Sequence, residues 1–291
     1  MPDHGSQTIR RRRLAAELRR LRERARLTGD EAAAKLGWSG SKISRIELHR
    51  IGVKRDDLDK LLDLYRVESP YREDLQALAS EYTRTGRLRA VVAGLPPDYA
   101  EYLSAEDEAR SIWNWEPLVV PGLLQVEEYA RAIHVGYQSM FRLAPGDWER
   151  RIALRHMRQQ RLTDEPPLEL AVIMDESVLR RRFGDSAGMY KQLHRVAEAS
   201  EMPNVDVWVL PLGGEHPIGT GAFTYMQFQQ MHDVPLHEIV NVENLTGSSY
   251  LEDEEETYRY RVTFDALRER SLDATASRDL ILRTVRELWT S

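Results

Sequence analysis

Between Ser39 and Arg45 the chain sets the hydroxyls of Ser39, Ser41 and Ser44, the ammonium of Lys42 and the guanidinium of Arg45. These groups donate hydrogen bonds to phosphate oxygens and to acceptors on base edges, and a guanidinium can span both acceptors of a guanine in the major groove. Ile43 and Ile46 fall among them so that, on a helix, the apolar pair turns inward and Ser41, Lys42, Ser44 and Arg45 project outward. A second cationic group, Arg10–Arg13 with Arg11 and Arg12 at its centre, is placed to meet phosphate or an adjacent minor groove.

Positioning that polar face requires a helix pair held at a steep angle. Leu14, Leu18, Leu21 and Ala25 recur at three- and four-residue intervals with arginines between them, an amphipathic helix with a cationic exterior. Thr28-Gly29-Asp30-Glu31 has the pattern of a capping box and opens a second helix, Gly37 supplies a left-handed stop, and Ser39 is placed to cap a third. Ala33 lets the second and third helices approach closely, and Leu36, Ile43 and Ile46 seal them from inside, which is the mechanics of a helix-turn-helix. Residues 50–54 read as a loop, Asp56 and Asp57 open a fourth helix through Leu58, Leu61, Leu62 and Tyr65, and Pro70 begins a fifth that runs to about Arg84. A bundle with this spacing can simply pack, but charge argues for more. Residues 1–66 hold 17 Lys+Arg against 10 Asp+Glu, a balance of +7, while the remaining 24 against 37 leave −13. The basic head suits a polyanion and the acidic body does not.

The 291 residues exceed the usual size of one domain, and 42% hydrophobic with 30% charged residues supports a sizeable core. The reading is an all-α head, residues 1–84, followed by an α+β body, residues 85–291. The absence of cysteine excludes disulfides, thiolate metal sites and cysteine nucleophiles. With no apolar run long enough to span a bilayer and no apolar core at the N-terminus, a cytoplasmic location is expected. In the body, residues 99–115 suit a helix, Pro121-Gly122 a turn, and residues 123–137 and 147–162 two more helices. Strands are expected over 168–174, 205–210, 223–228 and 239–242, with a helix over 189–201, a hairpin-like turn at Thr246-Gly247-Ser248, and closing helices over 254–269 and 276–290.

Leu27-Thr28, Glu31, Leu36-Gly37, Ser39 and Ser41-Lys42-Ile43-Ser44-Arg45-Ile46-Glu47 resemble the signature of Xre-type (lambda-repressor-like) regulators over roughly residues 12–66. One position departs, since Gly29 stands where that family commonly has a Gln that touches the DNA backbone. Residues 112–125, Asp175-Glu176-Ser177-Val178-Leu179-Arg180 and residues 242–251 resemble more narrowly the actinobacterial Xre regulators of the WhiJ-like or Scr1-like type, over nearly the whole chain. That resemblance implies transcription control, often with a small, separately encoded partner protein in an antitoxin-like arrangement.

Other groups carry weaker signals. His232, Asp233, His237 and Glu238, with His216 nearby, match no standard zinc spacing. Asp175-Glu176-Ser177 lacks the glycines of a nucleophile elbow and reads better as a strand-end turn or helix cap. Gly213-Gly214 and Gly219-Thr220-Gly221 lack the Lys or third Gly of phosphate-binding loops and read as connections between strands. Trp113, Trp115 and Leu123 form an aromatic, apolar cluster that either lines a partner or ligand surface or belongs to the core. The acidic run Glu252–Glu256, including Glu254, Glu255 and Glu256, is a solvated helix start or a docking site for a basic partner. No convergent acid, base and nucleophile set is evident, so the expected protein is not an enzyme and needs no cofactor or metal. It is expected to be a dimeric DNA-binding regulator on a pseudo-palindromic operator, its body pairing protomers and receiving a small protein. A small-molecule effector is the alternative, and an enzyme domain with a DNA-targeting head comes after that.

Overall fold

The computed structural model describes residues 9–79, 95, 97–138, 147–228, 238–244 and 247–289. By its internal contacts the chain divides into two units, one reaching Glu108 and the other beginning at Ala109. The expected boundary near residue 85 lies outside the described residues.

The first unit opens with five helices: α1 Ile9–Arg24, α2 Gly29–Leu36, α3 Gly40–Glu47, α4 Arg55–Leu64 and α5 Tyr71–Ala79. Their apolar stripes meet in one core of Leu14, Leu18, Leu21, Ala32, Ala33, Ile43, Ile46, Leu58, Leu61, Leu62, Leu75 and Leu78. The three- and four-residue spacing places these side chains on the inner faces, as expected for α1. Ala25 is exposed, because α1 ends one residue earlier and the chain turns through Arg26 at φ 56°. Among the described residues a further helix, α6 Pro97–Glu108, belongs to the same unit, and Glu101 on it pairs with Arg12 of α1.

The second unit is built on a six-stranded mixed sheet in the order β3-β2-β1-β4-β5-β6. Its strands are β1 Ser111–Glu116, β2 Glu169–Asp175, β3 Val205–Leu210, β4 Phe223–Gln227, β5 Ile239–Asn244 and β6 Gly247–Leu251. β1, β2 and β3 run parallel and are joined through helices, α7 Glu127–Gln138 and α8 Asp147–Gln160 on the first crossover, α9 Glu176–Arg180 and α10 Ser186–Ala199 on the second. Parallel neighbours need such crossovers. β4, β5 and β6 add antiparallel to β1 and to each other. α11 Glu254–Arg270 and α12 Ala274–Leu288 close the chain. Asp175, Asp185, Asp253 and Asp273 each cap a helix by accepting amide hydrogen bonds, so Asp175 is the helix cap that its sequence context favoured.

The α+β reading of the body holds, with three local corrections. Residues 99–115 are not one helix: α6 stops at Glu108, and Ile112-Trp113-Asn114-Trp115 forms the central strand β1. Its alternating aromatic and β-branched content suits a strand flanked on both sides, and those neighbours override helical propensity. The helix expected from Leu123 begins at Glu127, after a 3₁₀ turn over Gly122–Leu124. Gly247-Ser248, which reads as part of a turn, belongs to the edge strand β6, whose Gly247 pairs with Asn244. Among the described residues no helix is long and apolar enough to cross a membrane.

Candidate nucleic-acid interface

The geometry of α2 and α3 follows from their caps. Thr28 Oγ1 accepts from the Glu31 amide at 3.2 Å, and Glu31 Oε2 accepts from the Thr28 amide at 2.8 Å. This capping box fixes where α2 starts. The Thr28 amide and hydroxyl hold the Glu31 carboxyl below its ordinary value. At the other end Gly37 sits at φ 65°, while the Gly37 and Trp38 amides donate to the carbonyls of Ala34 and Ala33. A side chain would strain that left-handed position. A Cβ on Gly40 would lie 2.3 Å from Asp30 Oδ1, so a side chain there would have to push the exposed Asp30 carboxylate aside.

An ion pair that the sequence reading did not foresee locks α3 in place. Arg22 of α1 donates through Nε and Nη2 to the two carboxylate oxygens of Glu47, at 2.7 and 2.8 Å, and through Nη1 to the Leu27 carbonyl at 2.8 Å. Both side chains are largely buried, and the pair raises the Arg22 pKa further. The fork-on-carboxylate geometry ties the last residue of α3 to α1 with little freedom to rotate. Burial and the nearby Glu47 push the Tyr65 hydroxyl up to about 12. Tyr71 bridges Glu17 and Arg20 on α1, and burial with the Glu17 contact lifts its hydroxyl to about 12 as well.

Ile43 and Ile46 face inward, 1% and 4% exposed. Ser41, Ser44, Arg45 and Leu48 are exposed at intervals of three, one and three residues, which makes a single outward stripe. Arg45 lies along it, with Nε donating to the Ser41 carbonyl at 3.2 Å. Leu48 was missed in the sequence reading, because an apolar residue next to Ile46 looks like core. It is 43% exposed and presents the kind of apolar contact that meets a thymine methyl. Ser39 is exposed, but its hydroxyl faces that of Ser41 at 3.1 Å and does not cap the helix.

Two expected phosphate contacts are placed differently. Lys42 is half-buried, its ammonium 2.9 Å from Asp57 Oδ2 on α4 and 3.7 Å from the centre of the Trp38 ring, so it braces α3 from the side. Arg12 turns to Glu101 and is largely buried. The side chain of Arg11 lies outside the described residues.

The expected partner cluster in the body is core. Trp115 is 0% and Leu123 2% exposed, and Trp113 stacks between Tyr225 and Phe264 with ring centres 5.1 Å apart on each side. The central strand packs Trp115 fully, and Trp113 in part, against Phe264 and Leu267 of α11. Glu254, Glu255 and Glu256 are exposed in the first turn of α11, where Asp253 caps the helix. Of the histidine group, His232, Asp233 and His237 lie outside the described residues. Among the described residues no group of three His, Cys, Asp or Glu could hold a metal ion.

A helix-turn-helix domain model matches residues 13–78, which covers α1 through most of α5, and supports DNA binding and transcription regulation. A domain of unknown function, DUF5753, matches residues 99–283, from α6 into α12. No curated protein and no solved structure matches the chain.

Proposed function

The chain belongs to the DUF5753 family, and from that membership, with a helix-turn-helix ahead of the family domain, we propose a sequence-specific regulator whose α3 reads the major groove through Ser41, Ser44, Arg45 and Leu48. The observation that carries this reading is the exposed stripe itself: the inner side of α3 is sealed by Ile43 and Ile46, its end is fixed by Arg22, and what remains outward is polar, cationic and short. Lys42 acts through Asp57 and Trp38 to hold the helix, and Arg45 is its base-reading cation. One such unit buries little DNA surface, so useful affinity calls for two copies on half-sites about one helical turn apart. The body then pairs protomers and acts by binding, not catalysis.

The body's partner, in this reading, is a small basic protein in an antitoxin-like arrangement. With Trp115 and Leu123 buried and Trp113 stacked between Tyr225 and Phe264, its docking face moves to α11, where Glu254 and Glu255 lead to Tyr258 and Val262, 54% and 44% exposed. Selection of the full-length protein on random duplexes should yield a two-half-site consensus. Arg45→Ala should lose preference at one base pair per half-site, at about 1–3 kcal/mol, while keeping its salt-dependent general binding. An unchanged consensus in Arg45→Ala would remove Arg45 from base reading, and absence of any consensus would remove sequence specificity altogether.

A further inference from the structure

The loops that leave the carboxyl ends of β1 and β3 each show a leucine to solvent. Leu118 and Leu212 are both 57% exposed. β1 and β3 flank β2, so the two leucines stand on either side of α9, which follows β2, with about 10 Å between the flanking strands. α9 holds both loops. Arg181, just past its end, donates through Nη1 to the Leu118 carbonyl at 2.9 Å, and the Leu212 amide donates to Glu176 Oε2 at 3.1 Å. Arg180 braces the other oxygen of Glu176 at 2.8 Å. Arg180, Arg181 and Arg182 are exposed in succession. A fixed pair of leucines beside three consecutive cations makes an apolar contact with a positive rim, set in a body whose net charge is negative.

A surface of opposite sign and like build lies elsewhere on the same unit. In α11 Glu254, Glu255 and Glu256 fill the exposed first turn, and Tyr258 and Val262, four residues apart on one side of the helix, are 54% and 44% exposed. The cations beside them are engaged locally, Arg259 with Glu255 and Arg261 over the Tyr258 ring at 5.2 Å. Strand directions keep the two surfaces of one chain apart. β1 and β5 run the same way and β6 runs back, so β6 delivers the chain to α11 at the amino end of the parallel strands, while α9 stands at their carboxyl end. β2 and β6 are four places apart in the sheet, which adds about 19 Å across it. The start of α11 therefore cannot reach α9 of its own chain, and a second copy carries the surface that each calls for in charge and apolar content.

We propose that two copies pair through these surfaces about a two-fold axis, Tyr258 and Val262 of one seated between Leu118 and Leu212 of the other, with Glu254–Glu256 against Arg180–Arg182. The proposal rests on the reading that the body pairs protomers, and it names the faces that do so. With the second copy turned end for end, each α11 start meets the other copy's α9, so the contact is made twice and the assembly closes at two. The acidic face is the one assigned above to a small basic protein, so that partner and a second copy exclude each other there, and partner binding separates the protomers.

Sedimentation velocity of the full-length protein tests this by charge exchange. Arg180→Glu/Arg182→Glu and Glu254→Lys/Glu256→Lys should each weaken the dimer at least about tenfold, because like charges then face each other at both contacts. An equimolar mixture of the two variants should restore the dimer, since both contacts of the mixed pair regain opposite charges. Leu118→Ser/Leu212→Ser leaves every charge in place, together with the carbonyl and amide that α9 holds. It should weaken the dimer by a similar factor with the far-UV circular dichroism unchanged. A dimer that either charge variant or the leucine variant leaves unweakened would overturn the assignment of faces while leaving the pairing itself in place. A parent that sediments as a monomer would overturn both. An assembly larger than a dimer, or a mixture that stays monomeric, would overturn the two-fold contact.

Discussion

Replacing Arg22 by Met tests how α3 is held. The substitution keeps an unbranched apolar stem of similar reach but removes the donors to both Glu47 oxygens and to the Leu27 carbonyl. Arg22 and Glu47 are 13% and 10% exposed, so water can reach the orphaned carboxylate only in part. Breaking a buried pair from one side costs about 3–5 kcal/mol, and the residual exposure places this case near the lower figure, about 3 kcal/mol. Removing both charges should recover most of that loss, since a matched apolar pair in place of a buried ion pair is often neutral. Arg22→Met/Glu47→Leu should therefore lie within about 1 kcal/mol of the parent. Trp38 is the head's own tryptophan in the described residues, so ¹⁹F NMR of the fluorotryptophan-labelled full-length protein follows unfolding of the head in urea separately from the body. DNA affinity of the single variant should fall even at low denaturant, because the end of the reading helix is released. A loss below about 1 kcal/mol in Arg22→Met, or a double variant no more stable than the single, would refute the account of Glu47 as a carboxylate that depends on Arg22.

Asp57→Asn should free Lys42 from α4 and raise general DNA affinity, steepening the slope of log K against log salt by about one; an unchanged slope would leave Lys42 outside the electrostatic contact. Gly40→Ala should cost the head less than about 1 kcal/mol in the same urea assay, because the exposed Asp30 carboxylate can swing aside; a loss above about 2 kcal/mol would show that this carboxylate is held in place. Between the ordinary 4.5 and the value of about 8 to which burial and the charge of Glu243 push it, the folded protein holds the Glu116 proton and the unfolded chain does not, so stability of the second unit should fall as pH rises through that window. Glu116→Gln should flatten this decline, gaining about 2–4 kcal/mol over the parent at pH 9 and little at pH 4, as read from thermal melts; parallel curves would place Glu116 in water.

What was legible in the sequence is what neighbours along the chain decide. Thr28 and Glu31 are three residues apart, Gly37 ends the helix they start, and the apolar intervals of α1 and α3 need no knowledge of the rest of the molecule. Lys42 was read as a DNA contact because nothing within a turn or two contradicts that; Asp57, which holds it, arrives on the next helix. Arg22 and Glu47 are separated in the same way, and each alone looks like surface charge. The body shows the same limit more sharply. Trp113 and Trp115 alternate with polar residues, a strand pattern, yet the alanines and acidic residues before them extend the helical reading past Glu108. Leu118 and Leu212 come to flank one helix only once β1, β2 and β3 are in register.

The same pairing changes how the charge of the head is to be understood. The sum of +7 over residues 1–66 counts every cation equally. In the structure Arg12, Arg20, Arg22 and Lys42 each sit on a carboxylate, at Glu101, Glu17, Glu47 and Asp57. A cation already on a protein carboxylate releases few counterions when DNA arrives, so these four contribute little to the salt dependence of binding. Exposed cations such as Arg24, Arg26, Lys35, Arg45, Arg50, Lys54, Arg55, Lys60 and Arg66 remain to supply it. Paired residues shape the head and exposed ones meet the polyanion. Neutralising one of the paired cations should therefore appear first as lost stability, and neutralising an exposed one as a shallower salt slope with the fold intact.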